Sequence, residues 1–247
     1  MIYREIDPAF YTVDGRGYNG FHDIYDTEDP ISEQVVATCD VYNFAVIENT
    51  FSVTALKTLR LQAAACITEH DAAGRTQKYN TPKAYGIHKT PERRTELGTG
   101  AQELLQGVAH GLYRASADSR VMDTPHDRVN TTFVTRYLPG GKAASHYDTT
   151  SGVTLETTMD GVVRVTVRTG FRDVARVLLG QNMTLVMPGQ TLRSRGHKDQ
   201  AKHSVRNVTP QSEHNGYRLG VTYIYGRLSP EERAVQLQSQ RLRGTIR

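Results

Sequence analysis

The chain has 247 residues, of which 38% are hydrophobic and 23% are charged, as in an ordinary globular domain. No apolar run approaches the roughly 20 residues that a helix needs to cross a bilayer, so no membrane partner is expected. The net charge of +4 and the pI near 9.0 are mildly basic, and part of the excess lies in Arg241, Arg243 and Arg247. Without a zinc-finger, helix-turn-helix or RNP motif, this charge leaves nucleic acid open as a partner but does not favour it.

Two cysteines, Cys39 and Cys66, are too few to build a disulfide framework. The first residues include acids and lack the apolar core of a signal peptide. We therefore predict a single domain over residues 1–247 that works in the cytoplasm with its thiols reduced. Nothing in the sequence indicates the oligomeric state.

The first half of the chain is predicted to support a core that follows it. Residues 1–34 have no sustained hydrophobic period and are predicted as an irregular N-terminal arm. His22 and Asp23 are adjacent in this arm, where neighbouring side chains diverge, so they are not expected to share a metal. Residues 35–128 are predicted to supply supporting strands and helices, beginning with an apolar, β-prone strand from Val35 to Ile47.

A helix is predicted from Val53 to about Glu69. Ser52 is a suitable N-cap for it, and Gly74 is a suitable stop. Apolar residues recur at helical spacing and would form one buried face: Leu56, Leu59, Ala63, Cys66 and Ile67. This helix is expected to support the core from outside.

Residues 71–98 are polar and interrupted by glycine and proline, which is typical of a long loop, and we interpret them as a lid or substrate loop. A passive insertion is the alternative. A second helix is predicted after Thr99 and Gln102, which fit a capping box. Its apolar stripe would consist of Leu104, Leu105, Val108 and Leu112.

From Val129 onward the hydrophobic period changes from helical to strand-like. The predicted strands are Val129–Tyr137, Val153–Thr158, Val162–Arg168, Val174–Leu179, Met183–Met187, His203–Val208 and Arg218–Tyr225. Turn signals such as Asp160-Gly161 separate them. Short strands at this spacing predict a mainly β fold with supporting helices, built on a jelly-roll or cupin-like double-stranded β-helix over residues 129–226. Residues 227–247 would form a C-terminal helix or tail.

A candidate metal site lies in this β-rich half. His146 and Asp148 are two apart at the end of a strand-like run, so their side chains can share a face of the sheet. His203, on a later strand, is the candidate for a third ligand. Two imidazoles and one carboxylate suit non-haem Fe(II) with open coordination positions. A surface strand pair is the alternative for His146 and Asp148.

Other histidines are weaker candidates. His197 and Asp199 form a second His-x-Asp pair, but they lie in a Gly- and charge-rich stretch without β-propensity. No strand histidine follows them at a comparable separation. His214 precedes an Asn-Gly turn and His126 follows a proline, so both are interpreted as loop residues.

The ordered set Tyr-x-x-Gly, His-x-Asp, Pro-Gly, His-x-Val and Arg resembles the Fe(II)- and 2-oxoglutarate-dependent oxygenase superfamily, of the isopenicillin N synthase-like or prolyl hydroxylase-like kind. The resemblance spans about residues 129–226. It implies Fe(II) as cofactor, with 2-oxoglutarate and O2 as cosubstrates. The metal ligands and catalytic residues that it implies are His146, Asp148 and His203.

The resemblance also implies residues for the cosubstrate. Arg218 would hold the far carboxylate of 2-oxoglutarate, for which a guanidinium is the best-fitted side chain. A structural arginine in a buried ion pair is the alternative. Tyr137 would contact the cosubstrate or be a core tyrosine. The chain departs from the family two residues after Arg218, where a hydroxyl residue is usual: Gly220 stands there, and Thr222 on the same face is the candidate substitute.

These features predict a dioxygenase that oxidises an unactivated C–H of a small molecule of secondary metabolism. Hydroxylation is the default, and desaturation or cyclisation is compatible with the same ligands. Halogenation is disfavoured because Asp148 is present where some relatives have a small residue. One alternative is an oxygenase for nucleobases or alkylated nucleic acid. Another is a metal- or sugar-binding cupin without catalysis.

Overall fold

The structure is a computed structural model that describes residues 4–19, 30–74, 77–79, 84–89, 129–146, 151–169, 173–188, 202–209 and 218–227. Its two helices within these ranges are α1 (Pro30–Tyr42) and α2 (Val53–Ala72), and a 3-10 turn covers Pro8–Phe10. Its strands are β1 (Arg4–Glu5), β2 (Thr12–Asp14), β3 (Ala45–Glu48), β4 (Gln77–Tyr79), β5 (Ala84–Lys89), β6 (Val129–Tyr137), β7 (Ala143–His146), β8 (Ser151–Asp160), β9 (Val162–Thr169), β10 (Asp173–Leu179), β11 (Thr184–Pro188), β12 (Lys202–Thr209) and β13 (Arg218–Arg227).

The strands form two sheets. One has five strands in the order β1-β10-β9-β12-β7, and the other has eight in the order β2-β3-β11-β8-β13-β6-β5-β4. From β6 to β13 the chain passes repeatedly between the sheets. The hydrogen-bonded neighbours among these strands are antiparallel. This topology confirms the predicted double-stranded β-helix. Each of the seven strands predicted from the hydrophobic pattern after Val129 is present.

Apolar side chains separate into two cores because successive residues of a strand face opposite sides of a sheet. One core lies between the eight-stranded sheet and the helices, and it contains Leu155, Val221 and Leu59. The other lies between the two sheets, and it contains Leu185 of one sheet and Val165 of the other. The eight-stranded sheet is therefore covered on both faces.

Polar residues occupy much of the inner face of the central strands β8 and β13. In β8, Val153, Leu155 and Met159 pack towards the helices, so the intervening residues face the other sheet. Those intervening residues are polar and buried: Thr154, Glu156, Thr158 and Asp160. An alternating strand ordinarily turns its polar face to water. Here the polar face points into the barrel, so a candidate site is expected there.

Helix α2 confirms the helix predicted from Val53. Ser52 caps it, with its hydroxyl accepting a hydrogen bond of 3.2 Å from the backbone N–H of Ala55. The helix ends at Ala72, and Gly74 beyond it takes a positive φ of 63°, which a glycine adopts without strain. Neither α1 nor α2 is long and apolar enough to span a bilayer.

The strand predicted from Val35 to Ile47 is wrong over most of its length. Residues up to Tyr42 belong to helix α1, and only the end of the segment forms β3. Val35, Val36 and Cys39 are buried at helical spacing against the sheet. A short β-branched apolar run does not by itself distinguish a buried helix from a strand, and here packing on the sheet outweighs β-propensity.

Two segments predicted as irregular contain strands. In the N-terminal arm, β1 pairs with β10 and β2 pairs with β3, so each short strand covers an edge of a sheet. Within residues 71–98, β4 and β5 form an antiparallel pair, and β5 extends the eight-stranded sheet beside β6. The helix predicted after Thr99, the remainder of the proposed lid and the segment 228–247 lie outside the described residues.

Both cysteines are buried and neither forms a disulfide, as the composition predicts. Burial, followed by the charge of Asp40, raises the pKa of the Cys39 thiol, which suppresses the reactive thiolate. We expect the native protein at pH 8 to react with Ellman's reagent far more slowly than the protein in 6 M guanidinium, where two thiols should react at once.

A matched control places a cysteine at an exposed position of α2. Thr58→Cys should add one rapidly reacting thiol to the native protein, because Thr58 is exposed. Two fast thiols in the unmutated native protein would contradict the buried positions of Cys39 and Cys66.

Candidate active site

A pair of histidine positions lies where β7 and β12 meet in the five-stranded sheet. His203 of β12 and His146 of β7 are directly opposite each other in the antiparallel register. Directly opposed positions share a face of the sheet, with Cβ atoms about 4.5–5.5 Å apart. The register is irregular between His203 and Val205, as in a β-bulge, a feature often found beside active sites. The fold therefore brings together two residues that are 57 positions apart in the chain, at 146 and 203.

His203 lies on the inner side of its sheet. It is buried, and its neighbour on β9 is Val167 of the core between the sheets. His146 is described by its backbone, as the last residue of β7. Asp148 lies outside the described residues. Within the described ranges no three His, Cys, Asp or Glu side chains cluster as a metal site would.

Arg218 is the largest fully buried side chain of the described residues and is 0% exposed. Its Nη2 donates a hydrogen bond of 3.0 Å to Oε1 of Glu156 and one of 2.7 Å to the hydroxyl of Thr158. Its Nε and Nη1 are buried and find no hydrogen-bond partner among the described residues. A buried guanidinium with unused donors is costly unless something binds them, so these two nitrogens mark a place for an acceptor.

Gly220 makes room for this guanidinium. A Cβ at position 220 would lie 2.6 Å from Cζ of Arg218, closer than real carbon contacts allow. Gly220 therefore has a steric role: the guanidinium of Arg218 lies over the position where the resemblance predicted a hydroxyl residue. The hydroxyl that Arg218 contacts comes instead from Thr158 on the neighbouring strand.

Tyr137 supports Arg218 from the other side. It lies opposite Arg218 in the β6–β13 register, and Cζ of Arg218 is 5.7 Å from the centre of its ring, within cation–π range. Burial raises the pKa of Tyr137 to about 12; the Glu156 carboxylate adds to this shift and Arg218 opposes it. The phenol is therefore uncharged at neutral pH. Its ring belongs to the core between the sheets.

Thr222 lies on the same inner face, two residues beyond Gly220 and opposite Glu156 in the β8–β13 register. Glu156 and Thr158 are the functional candidates that the sequence did not suggest. Their only signal is a polar alternation within β8, which a solvent-facing strand would show equally well. Thr154 continues the row, and its buried hydroxyl finds no partner among the described residues.

The histidines that are alternatives to the proposed metal ligands lie outside the described part of the chain. His22, His126, His197 and His214 lie outside the described residues, as do Asp23 and Asp199. Residues 210–217, which make up most of the interval between His203 and Arg218, are also outside the described residues.

Comparison with solved structures confirms the predicted fold class, and the similar structures are described as hydroxylases and oxygenases. A prolyl hydroxylase from Trichoplax adhaerens, solved with a hypoxia inducible factor peptide fragment, has a TM-score of 0.62 at 12% identity, over 86% of this chain and 98% of that chain. A prolyl-4-hydroxylase from Pseudomonas putida has a TM-score of 0.57 at 14% identity, over 80% of this chain and 100% of that chain.

A third similar structure is the non-haem α-ketoglutarate-dependent carbocyclase SnoK from nogalamycin biosynthesis. Its TM-score is 0.56 at 12% identity, over 85% of this chain and 87% of that chain. At such identities the likeness shows a shared fold. No protein-family model matches the sequence, and comparison with curated proteins finds no match either.

The contact between Gly220 and Arg218 can be tested by adding one methyl group. In Gly220→Ala the guanidinium has to shift from its present position, although it is fully buried. We expect the free energy of unfolding to fall by about 1–3 kcal/mol, the usual cost of overpacking a core, as measured by urea denaturation.

The matched control is Gly180→Ala, where the nearest contact to an added Cβ would be an ordinary 3.6 Å to the sulfur of Met183. This variant should stay within about 0.5 kcal/mol of the unmutated protein. Equal stability of the two variants would show that Gly220 is not needed to seat Arg218.

Proposed function

We propose that this protein is an Fe(II)- and 2-oxoglutarate-dependent oxygenase. One observation carries the proposal: the barrel holds a cross-strand pair of histidine positions, His146 and His203, and a buried arginine with unused donors, Arg218. The first feature suits a metal, and the second suits an anion. Both belong to the same double-stranded β-helix, and the similar solved structures with this fold are two prolyl hydroxylases and an α-ketoglutarate-dependent carbocyclase.

The donor set fits ferrous iron. Imidazole binds Fe(II) readily, and two imidazoles with one carboxylate leave positions open for other ligands. We propose His146 and His203 as the imidazole ligands and Asp148 as the carboxylate ligand. The buried, apolar surroundings of His203 would limit access of water to the metal.

The environment of Arg218 fits the far carboxylate of 2-oxoglutarate. Its Nε and Nη1 are buried without a partner among the described residues, and an N–H of either could donate a charge-assisted hydrogen bond to a carboxylate oxygen. The uncharged phenol of Tyr137 lies over the guanidinium, and Thr158 fixes Nη2. We propose that Tyr137 and Thr158 hold the arginine in the orientation that the cosubstrate requires, and that Thr222 lines the same pocket.

With iron bound, the site would use O2 to oxidise an unactivated C–H while 2-oxoglutarate is converted to succinate and CO2. The chain would contribute binding, orientation and exclusion of water. Hydroxylation is the proposed outcome for the substrate. Desaturation and cyclisation need the same protein groups, and they depend on how the substrate lies in the barrel mouth.

We propose a small molecule as the substrate, in a single oxygenase domain over residues 1–247 that works in the cytoplasm. SnoK, which shares the fold, acts in nogalamycin biosynthesis, and this supports a small molecule of secondary metabolism. The buried thiols, neither in a disulfide, support a reducing compartment.

The test is formation of succinate from 2-oxoglutarate by purified protein under air, with and without Fe(II). We expect succinate only when both Fe(II) and 2-oxoglutarate are present, because the proposed reaction requires both. Addition of a cognate small molecule should raise the rate. Absence of succinate together with absence of Fe(II) binding would refute the proposed function.

A further inference from the structure

The carboxylate of Glu156 already occupies part of the acceptor site of Arg218. The two groups form an ion pair of 3.0 Å, and both side chains are buried, at 0% and 8% exposure. Glu156 sits on the inner face of β8, opposite Thr222 of β13. Glu156 therefore already provides one carboxylate to Arg218. The proposed function assigns the same arginine to the far carboxylate of 2-oxoglutarate.

This pairing changes the charge that a ligand meets. Arg218 and Glu156 together are neutral, whereas an arginine held only by hydroxyl groups would carry a full positive charge. A ligand carboxylate bound at Nε or at Nη1 would share one guanidinium with the Glu156 carboxylate, which accepts from Nη2. In a buried site two like charges at such separations repel strongly, because little water screens them.

Among the described residues, the other groups known to lie beside the pair carry no positive charge that would offset this repulsion. Tyr137 contributes an uncharged phenol, and Thr158 and Thr222 are neutral. The negative charge of Glu156 is felt at Tyr137, whose pKa it raises further. A 2-oxo acid with an uncharged far end would avoid the repulsion.

We infer that Glu156 is a specificity-determining residue that sets the charge of the far end of the cosubstrate pocket. It weakens binding of a dicarboxylate relative to a 2-oxo acid whose far end is uncharged. The inference rests on the proposed function, since it concerns the same pocket. The inference adds that this chain discriminates only weakly between a dicarboxylate and a 2-oxo acid with an uncharged far end.

The experiment measures binding of two 2-oxo acids of equal chain length by isothermal titration calorimetry. The ligands are 2-oxoglutarate and 2-oxopentanoate, which has a methyl group in place of the far carboxylate. The protein is loaded with Mn(II), a redox-inert substitute for Fe(II). In Glu156→Gln the amide oxygen can still accept the Arg218 hydrogen bond, and the negative charge is gone.

We expect Glu156→Gln to bind 2-oxoglutarate at least about tenfold more tightly than the unmutated protein, while binding of 2-oxopentanoate changes less than about twofold. The matched control, Glu48→Gln, removes the same charge from the exposed end of β3 and should change neither affinity. Equal affinity of Glu156→Gln and the unmutated protein for 2-oxoglutarate would overturn the inference.

The unmutated protein provides a second test, which holds even where Glu156→Gln does not fold. It should prefer 2-oxoglutarate over 2-oxopentanoate by less than about tenfold. A preference above about a hundredfold would overturn the inference and leave the proposed function standing. Binding of neither acid to any Mn(II)-loaded form would refute the proposed function, and the inference with it.

Discussion

Replacement of His203 with alanine is expected to abolish metal binding and turnover while leaving the barrel folded. Loss of a group that merely orients a metal ligand already costs roughly 10- to 100-fold in affinity, so loss of a ligand should weaken Fe(II) binding by about 100-fold or more. Equilibrium dialysis under anaerobic conditions measures the affinity, and circular dichroism verifies the fold. His146→Ala should behave in the same way, because position 146 lies directly opposite position 203.

The matched control is Ser204→Ala. Ser204 is the next residue of β12 and is also buried, but by strand alternation it faces the opposite side of the sheet. This variant should bind Fe(II) normally. Normal Fe(II) binding by His203→Ala would remove the metal site from this part of the barrel, and the proposed function would then lack its metal.

Replacement of Arg218 with alanine should have the second large effect, and it should act on both ligand binding and stability. Truncating one partner of a buried charge pair costs about 2–5 kcal/mol of binding, so 2-oxoglutarate should bind roughly 30-fold to several thousandfold more weakly. The variant also leaves Glu156 buried without its counter-charge. We therefore expect the free energy of unfolding to fall by roughly 3–5 kcal/mol.

Two further variants separate the causes. Arg218→Ala combined with Glu156→Gln should regain part of the lost stability, because the uncompensated negative charge is removed. Arg176→Ala breaks an exposed pair with Glu5, in which both side chains are more than half exposed, and should cost less than about 1 kcal/mol. An unchanged requirement for 2-oxoglutarate in Arg218→Ala would mean that another cation holds the cosubstrate.

The β-rich half of the chain could be predicted closely because apolar and polar residues alternate within each strand there. Alternation from Val129 to Tyr137 and turn residues such as Gly161, which takes a positive φ of 81°, are local signals. The helix from Val53 was equally readable, since Ser52 and Gly74 bracket an apolar stripe. The helix that includes Val35 could not be predicted in this way, because its residues suit a strand and a buried helix equally. Only packing against the sheet selects the helix.

The candidate site likewise contains residues that could be predicted from the sequence and one that could not. Histidine, aspartate and arginine are recognisable from their order and spacing, and His203 and Arg218 were predicted as site residues on that basis. Glu156 carried no such signal. In sequence it is one polar residue of an alternating strand, and such residues ordinarily face water.

The sequence by itself determined the seven predicted strands from Val129 onward, and which residues have side chains suited to binding a metal or an anion, because hydrophobic period and side-chain chemistry are local properties. Only the tertiary structure decided which strands are neighbours, and so that position 203 lies opposite position 146. It also decided that the polar side of β8 faces the second sheet, which places Glu156 against Arg218. Those facts depend on pairing between distant strands, and no single segment encodes them.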